Sequence, residues 1–193
     1  MNFAEELVYW YLRLNGFFPI TDFVLHQDEE HRTSDADIVA VRFPHVNEAI
    51  GGQPYDWDQR FANSWRIDLT AETVGLVVEV KSGQWNTDDL RARGWRIGKG
   101  LRRMGMLPAG AVLNDALEAL EQNSVTRAGG YTFAKLLACN GPMPHGVPWF
   151  HIHLEEVDAF VVDRMSRYHD RKHGDRLFFS GELIQYLAWK GQR

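Results

Sequence analysis

The chain has 193 residues, 45% of them hydrophobic and 24% charged, which is enough to bury a core without disulfides or structural metals. A formal net charge of −5 excludes a protein that coats nucleic acid by charge alone, and a single cysteine, Cys139 in the apolar run FAKLLAC, excludes a disulfide framework and reads as a core residue. No stretch approaches the roughly 20 apolar residues of a membrane span and no secretory leader is expected, so the composition predicts a cytoplasmic protein without a membrane partner.

In chain order, residues 3 to 15 place Phe3, Leu7, Tyr11 and Leu14 at helical spacing, and Asn15-Gly16 supplies the stop. Phe18 to Gln27 and Asp35 to Phe43 read as strands joined by the polar loop DEEHRTS. An insertion at about 44–73 follows, with Gly51-Gly52, Pro54 and the aromatics Tyr55, Trp57, Phe61 and Trp65. Loops of this length are functional or disordered, and the aromatics argue against disorder, so a lid or a partner surface is expected. Val74 to Val80 reads as a strand buried on both faces.

Between Arg91 and Arg103, six positive residues (Arg91, Arg93, Arg96, Lys99, Arg102 and Arg103) stand without a negative one. Gly94, Gly98, Gly100 and Gly105 speak against a regular helix there. A helix is predicted over Asn114 to Gln122 with Asn114 or Asp115 as its cap, then a strand over Tyr131 to Cys139 and a short one at 149–154. A helical extension at about 155–193 closes the chain, with Val157, Phe160, Val161 and Met165 on one face of its first helix and a last helix near Gly181 to Lys190. No repeat and no second domain is evident, so residues 1–193 read as one unit.

Two strands carry charge where charge is costly: Asp37 in SDADIVAV, and Glu79 with Lys81 in VGLVVEVKSG. Strand side chains alternate, so Glu79 and Lys81 emerge on one face while Val80 points to the other. An acid is thereby placed beside a base. The bland reading is a pair of strand-end charges that snorkel to solvent or pair with each other.

An acidic residue in the first helix, then Asp37 followed by Ile38-Val39-Ala40-Val41, then Glu79-Val80-Lys81 closing an apolar strand, resembles the PD-(D/E)xK, or restriction-endonuclease-like, nuclease superfamily. The opening helix AEELVYWYLRLNGFF is similar to that of small members such as Holliday-junction resolvases and Mrr-like enzymes, which places Glu5 rather than Glu6 at the family's helix acid. The resemblance covers residues 5 to 81. Ala36 stands where the family name has proline, and the 41 residues between Asp37 and Glu79 replace a short hairpin connection. No glutamine-tyrosine helix of RecB-type exonucleases follows.

The resemblance implies an α/β (α+β sandwich) fold: an αβββαβ core with a central mixed sheet flanked by helices, here with the insertion between the second and third strands. It implies a metal-dependent nuclease, an endonuclease acting on DNA in restriction, phage defence or repair. Asp37, Glu79, the Val80 carbonyl and Glu5 are then the ligands of Mg²⁺ or Mn²⁺, which favour carboxylates and waters over a closed protein cage. Lys81 orients or deprotonates the attacking water. The six basic residues from Arg91 to Arg103 read as the nucleic-acid-binding stripe, or as a solvated helix face.

A homodimer or a regulatory protein partner fits the family, as does a non-catalytic binding module on the same fold. Asp35 shares a face with Asp37 but reads as a solvent residue at a loop end. His151 and His153 share a strand face without a third ligand at a sensible spacing, and Trp85 and Trp95 read as packing residues before stacking ones.

Overall fold

The computed structural model describes residues 2–23, 36–91, 94–142, 146–168, 171, 186 and 190, with backbone alone at 22, 23, 89, 91 and 94–96. Helix α1 (Phe3–Leu14) opens on a capping box, in which Asn2 Oδ1 accepts from the Glu5 N–H at 3.0 Å and the Glu5 carboxylate accepts from the Asn2 N–H at 2.9 Å. Strands β1 (Phe18–Phe23), β2 (Ala36–Arg42) and β3 (Val74–Lys81) form an antiparallel meander, and β5 (Tyr131–Cys139) lies parallel to β3. The far edge of β5 is shared by β4 (Val125–Ala128), antiparallel, and β6 (Phe150–His153), parallel. The order β1-β2-β3-β5-β4 with β6 on β5 makes an open mixed sheet of six strands, an α+β architecture.

Alternation along β3 divides the core in two. Val74, Leu76, Val78 and Val80 face α1 and α6 (Leu154–Arg167). Val77 faces the other side, where Leu90 of α3 (Thr87–Arg91), Ile97 and Leu101 of α4 (Gly94–Met104), and Leu113 and Leu120 of α5 (Ala111–Gln122) pack with Phe133, Leu137 and Cys139 of β5. Cys139 is fully buried, as its apolar run predicts.

From Gly94 to Met104 the glycine-rich basic stretch is a regular helix, contrary to its propensity, and packing supplies the reason. A side chain at Gly100 would meet Val77 Cγ2 at 3.0 Å, so the absent Cβ lets α4 lie close on the sheet. Helix α5 begins three residues before the expected start, because the Asn114 N–H already donates to the Gly110 carbonyl and Gly110 is the cap. Strand β4 is too short for periodicity to mark it. Its signal is Gly129-Gly130, both at positive φ (59° and 81°), the two-residue turn of a tight hairpin.

The insertion is no lid over the charged strand ends. Trp57, Phe61, Trp65, Ile67 and Leu69 join the core on the α1/α6 side, opposite the face that carries Glu79. A short 3-10 turn, Pro54–Asp56, and helix α2 (Arg60–Asn63) are its only regular elements among the described residues. Two buried arginines fasten it. Arg42 donates to the Asn15, Phe43 and Leu69 carbonyls and lies 4.1 Å from the Trp57 ring centroid. Arg164 donates to the Gly51 and Asp56 carbonyls and stands 3.4 Å from the Asp56 carboxylate. The helix expected at 181–190, the loop DEEHRTS, Asp35 and the far end of the first predicted strand lie outside the described residues, save residues 186 and 190.

Candidate active site

The site lies where β2 and β3 part. Their register runs from Arg42↔Val74 to Ile38↔Val78 and goes no further. One residue beyond that last pair, the Asp37 carboxylate takes over as acceptor for the Val80 N–H, at 2.6 Å. A residue in a strand directs its N–H and C=O to the same edge, so the Val80 carbonyl opens onto this fork as well. The Lys81 carbonyl, one residue on, points the other way and accepts from the Asn140 N–H at the end of β5.

Lys81 fills the fork. Its Nζ lies 2.7 Å from Glu79 Oε2, 3.2 Å from Asp37 Oδ2 and 3.3 Å from the Val80 carbonyl oxygen. The Glu79 side chain is 2% exposed, against 15% for Lys81 and 18% for Asp37. Glu79 is therefore not a solvated strand end: its carboxylate is desolvated and held by charge. A cation already sits among three oxygens, two of them anionic, and it is the chain's own ammonium.

Those three oxygens are the hard donors that suit Mg²⁺ or Mn²⁺, so the residues present fit such an ion. Glu5 stands apart. Its carboxylate closes the N-terminus of α1 through the Asn2 N–H and, at 2.7 Å, Asn2 Nδ2. Among the described residues, no group of three or more acids, histidines or cysteines is placed to hold a metal ion, so Asp37 and Glu79 gain no third side-chain ligand of that kind here.

Helix α4 carries the second half of the basic stripe, and its exposed Arg102 and Arg103 stand at the end away from Glu79. Gly100 sits over Val77 and Met104 beside Gly75, so α4 runs antiparallel to β3 and its N-terminus is directed toward Glu79. The helix dipole thus presents its positive end to the carboxylates and to any phosphate bound there. Arg102 and Arg103 are exposed and Lys99 is half-buried. Arg93 and the side chains of Arg91, Arg96 and Trp95 lie outside the described residues, and Trp85 is half-buried against the α4/α5 side of the core.

One further charged group on the α4 face, Lys135, lies outside the set that the sequence singles out. Lys135 on β5 is 1% exposed, donates to the Leu120 carbonyl at the end of α5, and lies 5.4 Å from the Trp149 ring centroid. Burial pulls its pKa down to about 8. A lysine in the otherwise apolar run TFAKLLAC is the signal that could have found it. His151 and His153 are on β6, in register with Leu137 and Cys139, and burial with the neighbouring His153 lowers the His151 pKa.

No protein-family model, curated protein or solved structure matches the chain. Its site is read from its own geometry.

Proposed function

We propose that the protein is a metal-dependent nuclease of the PD-(D/E)xK type. The observation that carries this reading is the convergence of Asp37, Glu79, the Val80 carbonyl and Lys81 at the fork between β2 and β3. The order of α1, β1, β2 and β3, then helices and the parallel strand β5, also supports a restriction-endonuclease-like core.

Asp37, Glu79 and the Val80 carbonyl would hold the ion. Bound Mg²⁺ lowers the pKa of water and neutralises charge on the scissile phosphate. The residues of the chain do the rest. Asp37 is fixed by the Val80 N–H, so its remaining acceptor capacity is aimed without rotamer search. Glu79 is kept in place by burial. Lys81, released from the two carboxylates, sits where an ammonium can orient the attacking water and stabilise the charge that gathers on phosphorus. Water is the nucleophile, one P–O bond forms and one breaks, and the proton lost by the water is balanced by the one the leaving oxygen takes up. The basic stretch would contribute phosphate contacts through the exposed Arg102 and Arg103, while the Lys99 ammonium is buried; DNA is the proposed substrate.

The test is cleavage of supercoiled plasmid, linear duplex, single-stranded DNA and RNA with Mg²⁺, Mn²⁺ or chelator, alongside Asp37→Asn and Lys81→Ala proteins whose folding is checked by circular dichroism. Metal-dependent cutting that both substitutions abolish is expected. Cutting that persists in both removes the assignment, and no metal binding and no cutting by the wild type would leave a non-catalytic module.

A further inference from the structure

A cavity of about 240 Å³ lies on the α4/α5 side of the sheet, over β5 and not at the fork between β2 and β3, and the nuclease chemistry gives it no role. Its walls come from several elements at once. Leu90 of α3, Ile97 of α4, Glu121 of α5 and Lys135 of β5 line it, and the segment Val147-Pro148-Trp149 that leads into β6 closes it. Leu90, Ile97, Val147 and Trp149 are part of the apolar core on this side. The Trp149 N–H donates to the Val147 carbonyl at 2.9 Å across Pro148, a tight turn that fixes where the indole stands.

Lys135 is the anomaly among these walls. An ammonium has three N–H donors. One of them donates to the Leu120 carbonyl, and the other two meet no acceptor among the described residues. The Trp149 ring, its centroid 5.4 Å from Nζ, offers only its π face. Glu121 stands exposed on the rim, and although its charge acts on Lys135 the two form no ion pair. Lys81 meets Glu79 and Arg164 meets Asp56, whereas this cation, 1% exposed, is left without a counter-charge.

The missing partner and the lining together describe a ligand. Apolar walls favour a compact hydrocarbon body, and the indole face favours a ring. A cavity of about 150 Å³ already holds benzene, so this one has room for a six-membered ring with one small polar group. That group has to accept two N–H bonds and carry negative charge. A carboxylate does both, whereas a phosphate would bring more oxygens and more charge than one ammonium satisfies. We propose that this cavity binds a small apolar monocarboxylate, its body between Leu90, Ile97 and Trp149 and its carboxylate on the Lys135 ammonium. The inference does not depend on the nuclease reading.

The experiment is titration calorimetry of the full chain at about pH 7, where a lysine of pKa about 8 is charged. Benzoate and cyclohexanecarboxylate are the probes, and benzamide and cyclohexanecarboxamide are their neutral counterparts of nearly the same shape. At least one carboxylate is expected to bind with a Kd of about 0.1 mM or tighter, and its amide at least about tenfold more weakly, the difference that a charge-assisted hydrogen bond makes. Lys135→Met keeps the apolar stem and removes the charge, so it is expected to lose about tenfold or more on the carboxylate and to erase the preference over the amide. Glu121→Gln, at an exposed position, is expected to keep or raise carboxylate affinity, since it removes a like charge from the rim. Circular dichroism and melting check that each variant is folded, and the comparison of carboxylate with amide on the wild type decides the point without any variant. Equal affinity for carboxylate and amide overturns the proposal, as does the absence of carboxylate binding up to about 10 mM. So does full carboxylate affinity in Lys135→Met. A tenfold loss in Glu121→Gln also overturns it, because the cavity would then be holding a cationic group at its rim.

Discussion

Replacing Lys81 by methionine isolates the ammonium from the chain that carries it. In the folded protein Lys81 is the cation for a Glu79 side chain only 2% exposed and for Asp37. Removing one partner of a fully buried pair costs about 3–5 kcal/mol, because the other charge is left uncompensated. Lys81 is 15% exposed, so solvent screens part of this, and a loss of about 2–3 kcal/mol is expected in chelator. For a chain of this size that is a fall of roughly 5–10 °C in melting temperature.

Divalent metal should then act more strongly on the variant than on the wild type. In the wild type an ion must displace the ammonium from the three oxygens, whereas in Lys81→Met it meets them without a competitor. Tenfold tighter binding corresponds to about 1.4 kcal/mol of additional metal-induced stabilisation at saturating metal. Urea unfolding of both proteins, in chelator and across a Mn²⁺ series, measures both quantities. A variant as stable as the wild type in chelator, or a metal-induced gain no larger than that of the wild type, would refute the view that Lys81 occupies the cation position.

Lys135 should make stability depend on alkaline pH. Its folded pKa is about 8 against 10.5 for an ordinary lysine, so the unfolded chain binds more protons between those values and stability rises with pH across that window, by up to about 3 kcal/mol. Urea unfolding between pH 7.5 and 10 should show this rise in the wild type and not in Lys135→Met. Arg164→Met removes one of the two guanidinium groups beside the buried Asp56, leaving Arg167 at 3.5 Å, and frees the Gly51 carbonyl; a cost of about 2–3 kcal/mol is expected, and hydrogen exchange should locate the loss of protection at 51–58. Asn2→Ala removes the cap of α1 and should cost about 1 kcal/mol in urea unfolding while leaving Mn²⁺ affinity unchanged, whereas a change in that affinity would bring the Glu5 end of α1 back into the metal site.

Much of the site is legible in the sequence because its information is local. Period-two alternation alone puts Glu79 and Lys81 on one face, and the cost of charge in an apolar strand marks them as partners. The opening helix, the strand from Tyr131 to Cys139 and the buried Cys139 follow from the same kind of pattern. Glu5 shows where that reasoning stops: its place three residues after Asn2 is the spacing of a capping box as much as of a family acid, and the structure shows that box formed.

What the amino-acid order determined by itself is which residues bear charge, which face of each strand or helix they take, and where the chain must turn. Which faces meet was decided only by the tertiary structure. The fork that lets Asp37 reach the Val80 N–H depends on where β2 leaves β3. The close seat of a glycine-rich α4 depends on Val77 beneath it, and the fastening of the insertion depends on Arg42 and Arg164 meeting carbonyls far away in the chain. Periodicity records the direction of a side chain within its own element and carries nothing about the partner across the core. Long-range burial and hydrogen bonding supply that information, and here they outweigh the local preference of glycine against helix and of charge against burial.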